Sequence, residues 1–252
     1  MSASLRFATT SITHPGVVRT ANEDSFASLE DRGLWAVADG MGGYAFGQWA
    51  STTVVSAIQA AALTGAFDAD LAALSGAIHQ ANASIYSASQ QQGRPMGSTA
   101  AALYLNDDQF ACVWAGDSRI YLLRAGVLHR MTRDHTQVQE MIDRGMLTPE
   151  EGARHPMSHV LSRAVGVQPT LDLDAVRDQA KAGDIFLICS DGLSGVVSEP
   201  EICERLASLP REAACRRLVE LCLSRGAPDN LTIVAVACEE KTTLTLSPAS
   251  AL

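Results

Sequence analysis

Leu34-Trp35-Ala36-Val37-Ala38-Asp39-Gly40-Met41-Gly42-Gly43 is the stretch from which the rest of the chain can be read. Five apolar residues lead straight into an acid, and a glycine-rich turn follows. A short run of bulky and β-branched residues closed by glycine reads as a buried strand that ends at its aspartate. Asp39 then lies at the rim of a core, where a carboxylate is costly unless a cation or hydrogen bonds compensate it. The glycines let backbone approach whatever sits there, and the Gly40 carbonyl is a further oxygen donor. Asp-Gly is also a common tight-turn pair, so one instance decides nothing.

The pattern recurs. Gln109 to Ala115 runs into Gly116-Asp117-Ser118-Arg119, and Asp184 to Ser190 runs into Asp191-Gly192-Leu193. Asp229-Asn230 opens a final apolar run, Leu231 to Cys238. Four aspartates therefore mark the ends of apolar strands, and in an antiparallel scaffold they can converge on one rim. Bare carboxylates there would repel each other by about 4 kcal/mol per pair at about 4 Å and an effective dielectric near 20. A polycation makes the arrangement stable. All-oxygen donors favour Mg²⁺ or Mn²⁺ over Zn²⁺. Two such ions about 3.5–4 Å apart can share a water and lower its pKa for in-line attack on phosphorus. Upstream, Arg19 and Glu23-Asp24 share one short segment. As a surface ion pair it would stabilise little; as part of a site, arginine offers phosphate a planar fork and the acids sit beside a cation.

Around these markers the elements fall out by periodicity. Residues 5–13 suit an edge strand, and 25–29 a second strand. Ala45 to Leu63 and 69–91 read as helices, the latter with Leu71, Leu74, Ile78, Ala81 and Ile85 at helical spacing. A β meander follows, with strands at Ser98 to Leu105, Gln109 to Ala115, Ile120 to Arg124 and Val127 to Met131. Strands at Thr170 to Arg177 and Asp184 to Ser190, and helices at Pro200 to Leu209 and Arg211 to Arg225, precede the last strand. Residues 132–168 have weak periodicity, as a binding loop or lid does. His155 and His159 are four apart, but Pro156 disfavours the helix that would align them for zinc. His135 reads as a structural, hydrogen-bonding histidine.

Composition excludes whole classes of function. At 252 residues, 47% hydrophobic and 19% charged, the chain can bury a core without disulfide or zinc. A net charge of −9 argues against nucleic acid or anionic membrane as a partner. No basic-then-apolar leader occupies Met1 to Ser11, and no stretch has the roughly 18 apolar residues of a membrane span. Six cysteines without Cys-x-x-Cys spacing fit a reduced, cytoplasmic protein.

With these residues in place the chain resembles the bacterial metal-dependent protein serine/threonine phosphatases, the PPM or type 2C family. The likeness runs from about Leu5 to Cys238 through ordered motifs: Arg-x-x-Asn-Glu-Asp at 19–24, Val-Ala-Asp-Gly-Met-Gly-Gly at 37–43, Gly-Ser-Thr at 97–99 with Ala-Gly-Asp-Ser-Arg at 115–119, Ser-Asp-Gly-Leu at 190–193, and Asp-Asn at 229–230. It implies an α+β fold, a four-layer αββα sandwich of two antiparallel sheets between helix pairs. It implies one catalytic domain at 1–240, with a flap at about 134–165 that contacts substrate and a polar tail at 241–252. Asp39 would bridge two ions of Mn²⁺ or Mg²⁺, the Gly40 carbonyl would bind one, and Asp191 and Asp229 would complete the set. Asp117, with Asp191, would hold a third, more labile ion. Glu23, Asp24 and Asn230 would act behind these ligands or through water, and Arg19 would grip the phosphate. The implied activity is hydrolysis of phosphoserine and phosphothreonine in a monomer opposing a bacterial Ser/Thr kinase. The competing readings are a phosphate-binding module without turnover and a small-molecule phosphoesterase. Met41 departs from the histidine that many eukaryotic relatives carry after Asp-Gly, and methionine cannot donate a proton.

Overall fold

The computed structural model describes residues 5–43, 45–152 and 154–241. Strands β1 (Leu5–His14), β2 (Asp24–Leu29) and β3 (Leu34–Met41) come first. Helices α1 (Ala45–Ala60) and α2 (Phe67–Gln92) follow. The meander is β4 (Gly97–Ser98), β5 (Ala100–Asn106), β6 (Gln109–Ala115), β7 (Arg119–Arg124) and β8 (Val127–Arg130). Two short helices, α3 (Gln137–Asp143) and α4 (Pro149–Gly152), lead to β9 (Asp174–Gln179) and β10 (Ile185–Cys189). The chain ends with α5 (Asp191–Ser194), α6 (Glu199–Ser208), α7 (Arg211–Ser224) and β11 (Leu231–Glu240).

The strands form two antiparallel sheets, ordered β1-β11-β10-β7-β8 and β2-β3-β5-β6-β9, with β4 continuing the pairing on β3. Side-chain alternation, period two along each strand, sorts the apolar strand residues into three layers. Trp35 and Val37 of β3 meet Phe186 and Ile188 of β10 and Val234 and Val236 of β11 between the sheets. Their neighbours Leu34, Ala36 and Ala38 face α1 and α2, against Val54, Ile58, Leu74 and Ile78. On the opposite side Leu187, Cys189, Ile233 and Ala235 pack on Ile202, Leu206 and Leu218 of α6 and α7. Two sheets inside and a helix pair outside each give the expected αββα sandwich.

Several boundaries differ from the sequence reading. The strand expected over Ser98 to Leu105 is interrupted at Thr99, where the Asp39 N–H bonds the Thr99 hydroxyl (2.9 Å) and the Thr99 carbonyl accepts from the Ser98 hydroxyl (2.8 Å). The strand expected at Thr170 to Arg177 begins at Asp174, since its half-exposed edge carries a weak pattern. Helix α1 stops at Ala60 because Asp70, buried in α2, accepts hydrogen bonds from the Thr64 N–H (2.6 Å), the Gly65 N–H (2.9 Å) and the Tyr104 hydroxyl (2.6 Å). Strand β11 continues to Glu240, where Arg6 pairs with Glu239 (2.6 Å). The tail expected at 241–252 lies, apart from Lys241, outside the described residues.

Candidate active site

The alternation that builds the core also places the polar residues. Counting on from Trp35 and Val37, Asp39 falls on the inter-sheet face of β3. The same parity carries Asp24, Thr99, Ser118, Ser190, Asn230 and Thr232 to that face of their own strands, where the apolar filling ends. They are knitted together. The Ser190 hydroxyl donates to Asp24 Oδ2 (2.8 Å) and accepts from the Thr232 N–H (3.0 Å). Thr99 Oγ1 accepts from the Asp39 N–H (2.9 Å) and lies 2.6 Å from Ser118 Oγ. Strand pairing sets Asp24 directly opposite Asp39.

Above this layer opens a cavity of about 990 Å³, and Arg19, Glu23, Asp39, Gly40, Asp117, Asp191, Asp229 and Asn230 all line it. The convergence of acids read from the sequence is therefore present. Asp24 is buried just beneath, at 7% exposure. Burial, and then the charges of Asp191 and Asp229, push the Asp24 carboxyl up to about 7, against the lowering effect of hydrogen bonds from Thr232 and Ser190. Asp117, 8% exposed, is raised to about 8 by burial and next by Asp191. Asp39 lies deep in the cavity, and desolvation followed by the charges of Asp24, Asp191, Asp117 and Asp229 holds it well above the ordinary carboxylate range. Asp24 Oδ1 and Asp191 Oδ1 are buried without a hydrogen-bond partner among the described residues.

Two glycines bring Glu23 into this set. A Cβ on Gly47, in the first turn of α1, would lie 1.8 Å from Glu23 Oε2 and 3.0 Å from the Gly40 carbonyl oxygen. A Cβ on Gly40 would lie 2.0 Å from the Gly47 carbonyl oxygen and 2.7 Å from that of Glu23. Only hydrogen at both positions leaves a cradle where the Glu23 carboxylate and the Gly40 carbonyl approach each other. Asn230 fixes the approach: its Oδ1 accepts from the Glu23 N–H (2.8 Å), and its Nδ2 donates to the carbonyls of Pro15 and Ala21. It acts as a clamp on the 15–23 loop. The Gly47 role was not read from the sequence, although a glycine in the first turn of a helix, disfavoured against alanine by up to about 1 kcal/mol, was its signal.

Oxygen-only donors, two orphaned carboxylate oxygens and mutual repulsion fit hard divalent cations. Among the described residues, no group of three or more His, Cys, Asp or Glu forms a ready metal-binding arrangement. Two of the acids are turned to cations of the protein instead. Arg19 Nε and Nη2 donate to both oxygens of Asp229 (2.9 and 2.7 Å), whereas the sequence reading assigned this fork to phosphate. His159 Nδ1 lies 3.4 Å from Asp191 Oδ2, which raises the histidine pKa. That contact was missed, since His159 had been weighed only with His155; His155 Nδ1 accepts from the Met157 N–H (3.2 Å).

The 134–165 segment closes one side of the cavity through His159, Val160, Leu161, Ser162 and Arg163. It is fastened by His135, as its structural reading requires. Nδ1 accepts from the Gly116 N–H (3.1 Å), the His135 N–H donates to the Gly116 carbonyl (3.0 Å), and Nε2 meets Asp174 Oδ2 (3.2 Å). Arg119 and Arg130 both bind Asp134 beside it.

A two-sheet sandwich whose acids converge at one end, under a loop anchored across them, defines the class: an αββα protein with an acidic cavity whose oxygen donors suit hard divalent cations. The chain belongs to the protein phosphatase 2C family, whose sequence profile matches residues 10–141, just over half of it. It is 40% identical over 233 residues to the serine/threonine protein phosphatase PstP of Mycobacterium tuberculosis, covering 87% of this chain and 42% of that protein. The chain thus spans less than half of that relative's length. To the protein phosphatase PhpP of Streptococcus pneumoniae it is 31% identical over 238 residues, covering 91% of this chain and 97% of that protein. Among solved structures, PppA of Pseudomonas aeruginosa, described as a key regulatory component of T6SS, superposes with a TM-score of 0.88 at 38% identity, over 94% of this chain and 99% of that one. The PstP catalytic domain in complex with 2 manganese ions superposes at 0.83 with 36% identity, over 94% of this chain and 100% of that one.

Proposed function

We propose that this chain is a Mn²⁺- or Mg²⁺-dependent protein serine/threonine phosphatase acting through one catalytic domain at 1–240, with 134–165 as its flap. The observation that carries the reading is the buried acid cluster with two orphaned carboxylate oxygens, Asp24 Oδ1 and Asp191 Oδ1. The manganese-bound relative supports metal dependence. Asp39, the Gly40 carbonyl, Asp191 and Asp229 would hold two core ions, and Asp117 with Asp191 a third. Glu23 and Asp24 would stand behind them. When bound, the ions neutralise the acids and activate water for attack on phosphorus.

The chain's own residues then bind and orient. The Arg19–Asp229 pair is exposed, so it stabilises little and is readily exchanged. Arg19 would leave Asp229 for two phosphate oxygens, to which its fork is equally matched. Met41 offers no proton, so the departing alkoxide draws on water in the cavity. The substrates on this reading are phosphoproteins made by a Ser/Thr kinase, and the enzyme is a cytoplasmic monomer. No helix among the described residues is long and apolar enough to cross a membrane.

The test is phosphate release from a phosphothreonine peptide with Mn²⁺ and after chelation. Release that stops with chelation and returns with Mn²⁺ or Mg²⁺ is expected. Tight phosphopeptide binding without release would favour a binding module, and release from nucleotides alone a small-molecule phosphoesterase.

A further inference from the structure

The cavity extends beyond the acids, along Gly93, Arg94, Pro95 and Met96 on one side and Val167 on the other. This arm is built rather than incidental. Gly93 ends α2 in the left-handed region (φ 60°), and Ser89 then holds Arg94 at both backbone groups: its carbonyl accepts from the Arg94 N–H (3.3 Å) and its hydroxyl donates to the Arg94 carbonyl (2.9 Å). Gly42, three residues past Asp39, packs so closely on this loop that a Cβ there would lie 3.1 Å from both Met96 Cβ and the Pro95 carbonyl oxygen. Met41 and Val167 meet over Gly97, where a Cβ would lie 2.7 Å from Met41 Cε and 2.9 Å from Val167 Cγ2. An apolar ledge thus joins the acid cluster to Arg94.

Three arginines line the cavity. Arg19 is paired with Asp229 and Arg163 with Asp174 (2.7 Å), while Arg94 has no carboxylate partner among the described residues. Its guanidinium instead lies over the Phe46 ring, 5.6 Å from the centroid. A cation–π contact engages no hydrogen-bond acceptor, so it leaves the guanidinium N–H groups available. Of the cavity-lining acids, Asp229 is turned to Arg19 and Asp191 to His159, which leaves Arg94, among the described residues, with donors to spare.

We infer that Arg94 is a specificity residue that reads a second anionic group on the substrate, an acidic side chain or a second phosphate, near the phosphorylated residue. The substrate class is an acidic phosphosite, its intervening backbone lying on the Met41–Val167 ledge. This rests on the phosphatase reading. In a chain with net charge −9, such a substrate is repelled at long range, so a local unpaired cation is what admits it.

The experiment measures kcat/KM of the full Mn²⁺-loaded chain for a phosphothreonine peptide with neutral neighbours. It is compared with versions bearing an aspartate, or a second phosphothreonine, at successive positions on either side. At one position the anion should raise kcat/KM by about fivefold to tenfold, mainly through KM. Aspartate sufficing identifies a carboxylate reader; a response to the second phosphate alone identifies a phosphate reader. Arg94→Ala should bring the acidic-to-neutral ratio to about one, and Arg94→Glu should make lysine the favoured neighbour. The ratio within each variant is independent of any change in overall turnover. No positional preference, or a ratio unmoved by Arg94→Ala, overturns the inference while the phosphatase reading stands. Absence of phosphate release from every peptide by the wild-type chain overturns both.

Discussion

Removing metal should make the fold sensitive to pH in the direction set by its raised carboxyls. Burial, then the charge of Asp191, pushes Asp24 up to about 7 and Asp117 up to about 8 in the metal-free fold, against an ordinary value of 3.8. An acid whose folded pKa is raised stabilises the fold in its protonated form. That stabilisation is complete below the unfolded value and is lost as pH rises through about 7 to 8. Each pH unit inside the window is worth about 1.4 kcal/mol per acid. From about pH 5 to about pH 9 the loss is on the order of 3 kcal/mol for Asp24, with a similar order for Asp117, and the two are not additive because both face Asp191. At about 2–4 °C per kcal/mol for a chain of this size, the melting temperature should fall by roughly 10 °C. Differential scanning calorimetry of the chelated protein at the two pH values reads this directly. Mn²⁺ at about a hundredfold over its Kd should restore about 2.7 kcal/mol, because the ion takes the place of the protons. Asp24→Asn should flatten the slope, separating the cluster from the general rise in negative charge. A melting temperature that holds level or climbs over that range without metal would refute the picture of crowded, desolvated acids.

Asp39→Asn and Asp191→Asn should abolish phosphate release, whereas Asp117→Asn should only weaken it; retained turnover in either of the first two removes the site assignment. Gly47→Ala should displace Glu23 and weaken Mn²⁺ affinity by about 10- to 100-fold in titration calorimetry, with the circular dichroism spectrum unchanged. Unaltered affinity would show that the Glu23 carboxylate does not serve the ions. Lacking a proton donor at Met41, the enzyme should show a steep dependence of rate on leaving-group pKa across aryl phosphates; a flat dependence would reveal a donor elsewhere.

Much of this was legible because strand alternation and acid placement obey one period. The apolar runs ending at Asp39, Asp117 and Asp191 announced both the sheets and the site, and the ordered motifs named the fold. Other features depend on pairing between distant segments. Nothing in the spacing of Arg19 and Asp229 shows that they meet, and His159 reaches Asp191 from a segment that bends back, with Leu161 bridged to Thr136. The helices inside 132–168 had signals that weak periodicity masked. Thr136 caps α3 by accepting from the Gln139 N–H (3.1 Å), and Thr148 and Glu151 exchange capping hydrogen bonds around α4. Short helices are betrayed by their caps sooner than by their stripes.

The shared parity of core and site carries an evolutionary consequence. Deleting one residue from the middle of β3 would hand Asp39 to the face that α1 and α2 cover, and bring its neighbours out of register with β2 and β5. Loss of packing and loss of chemistry would arrive in the same event. Length changes should therefore be purged from these strands, while the exposed turn between α3 and α4, answerable to no such count, is free to lengthen or shorten.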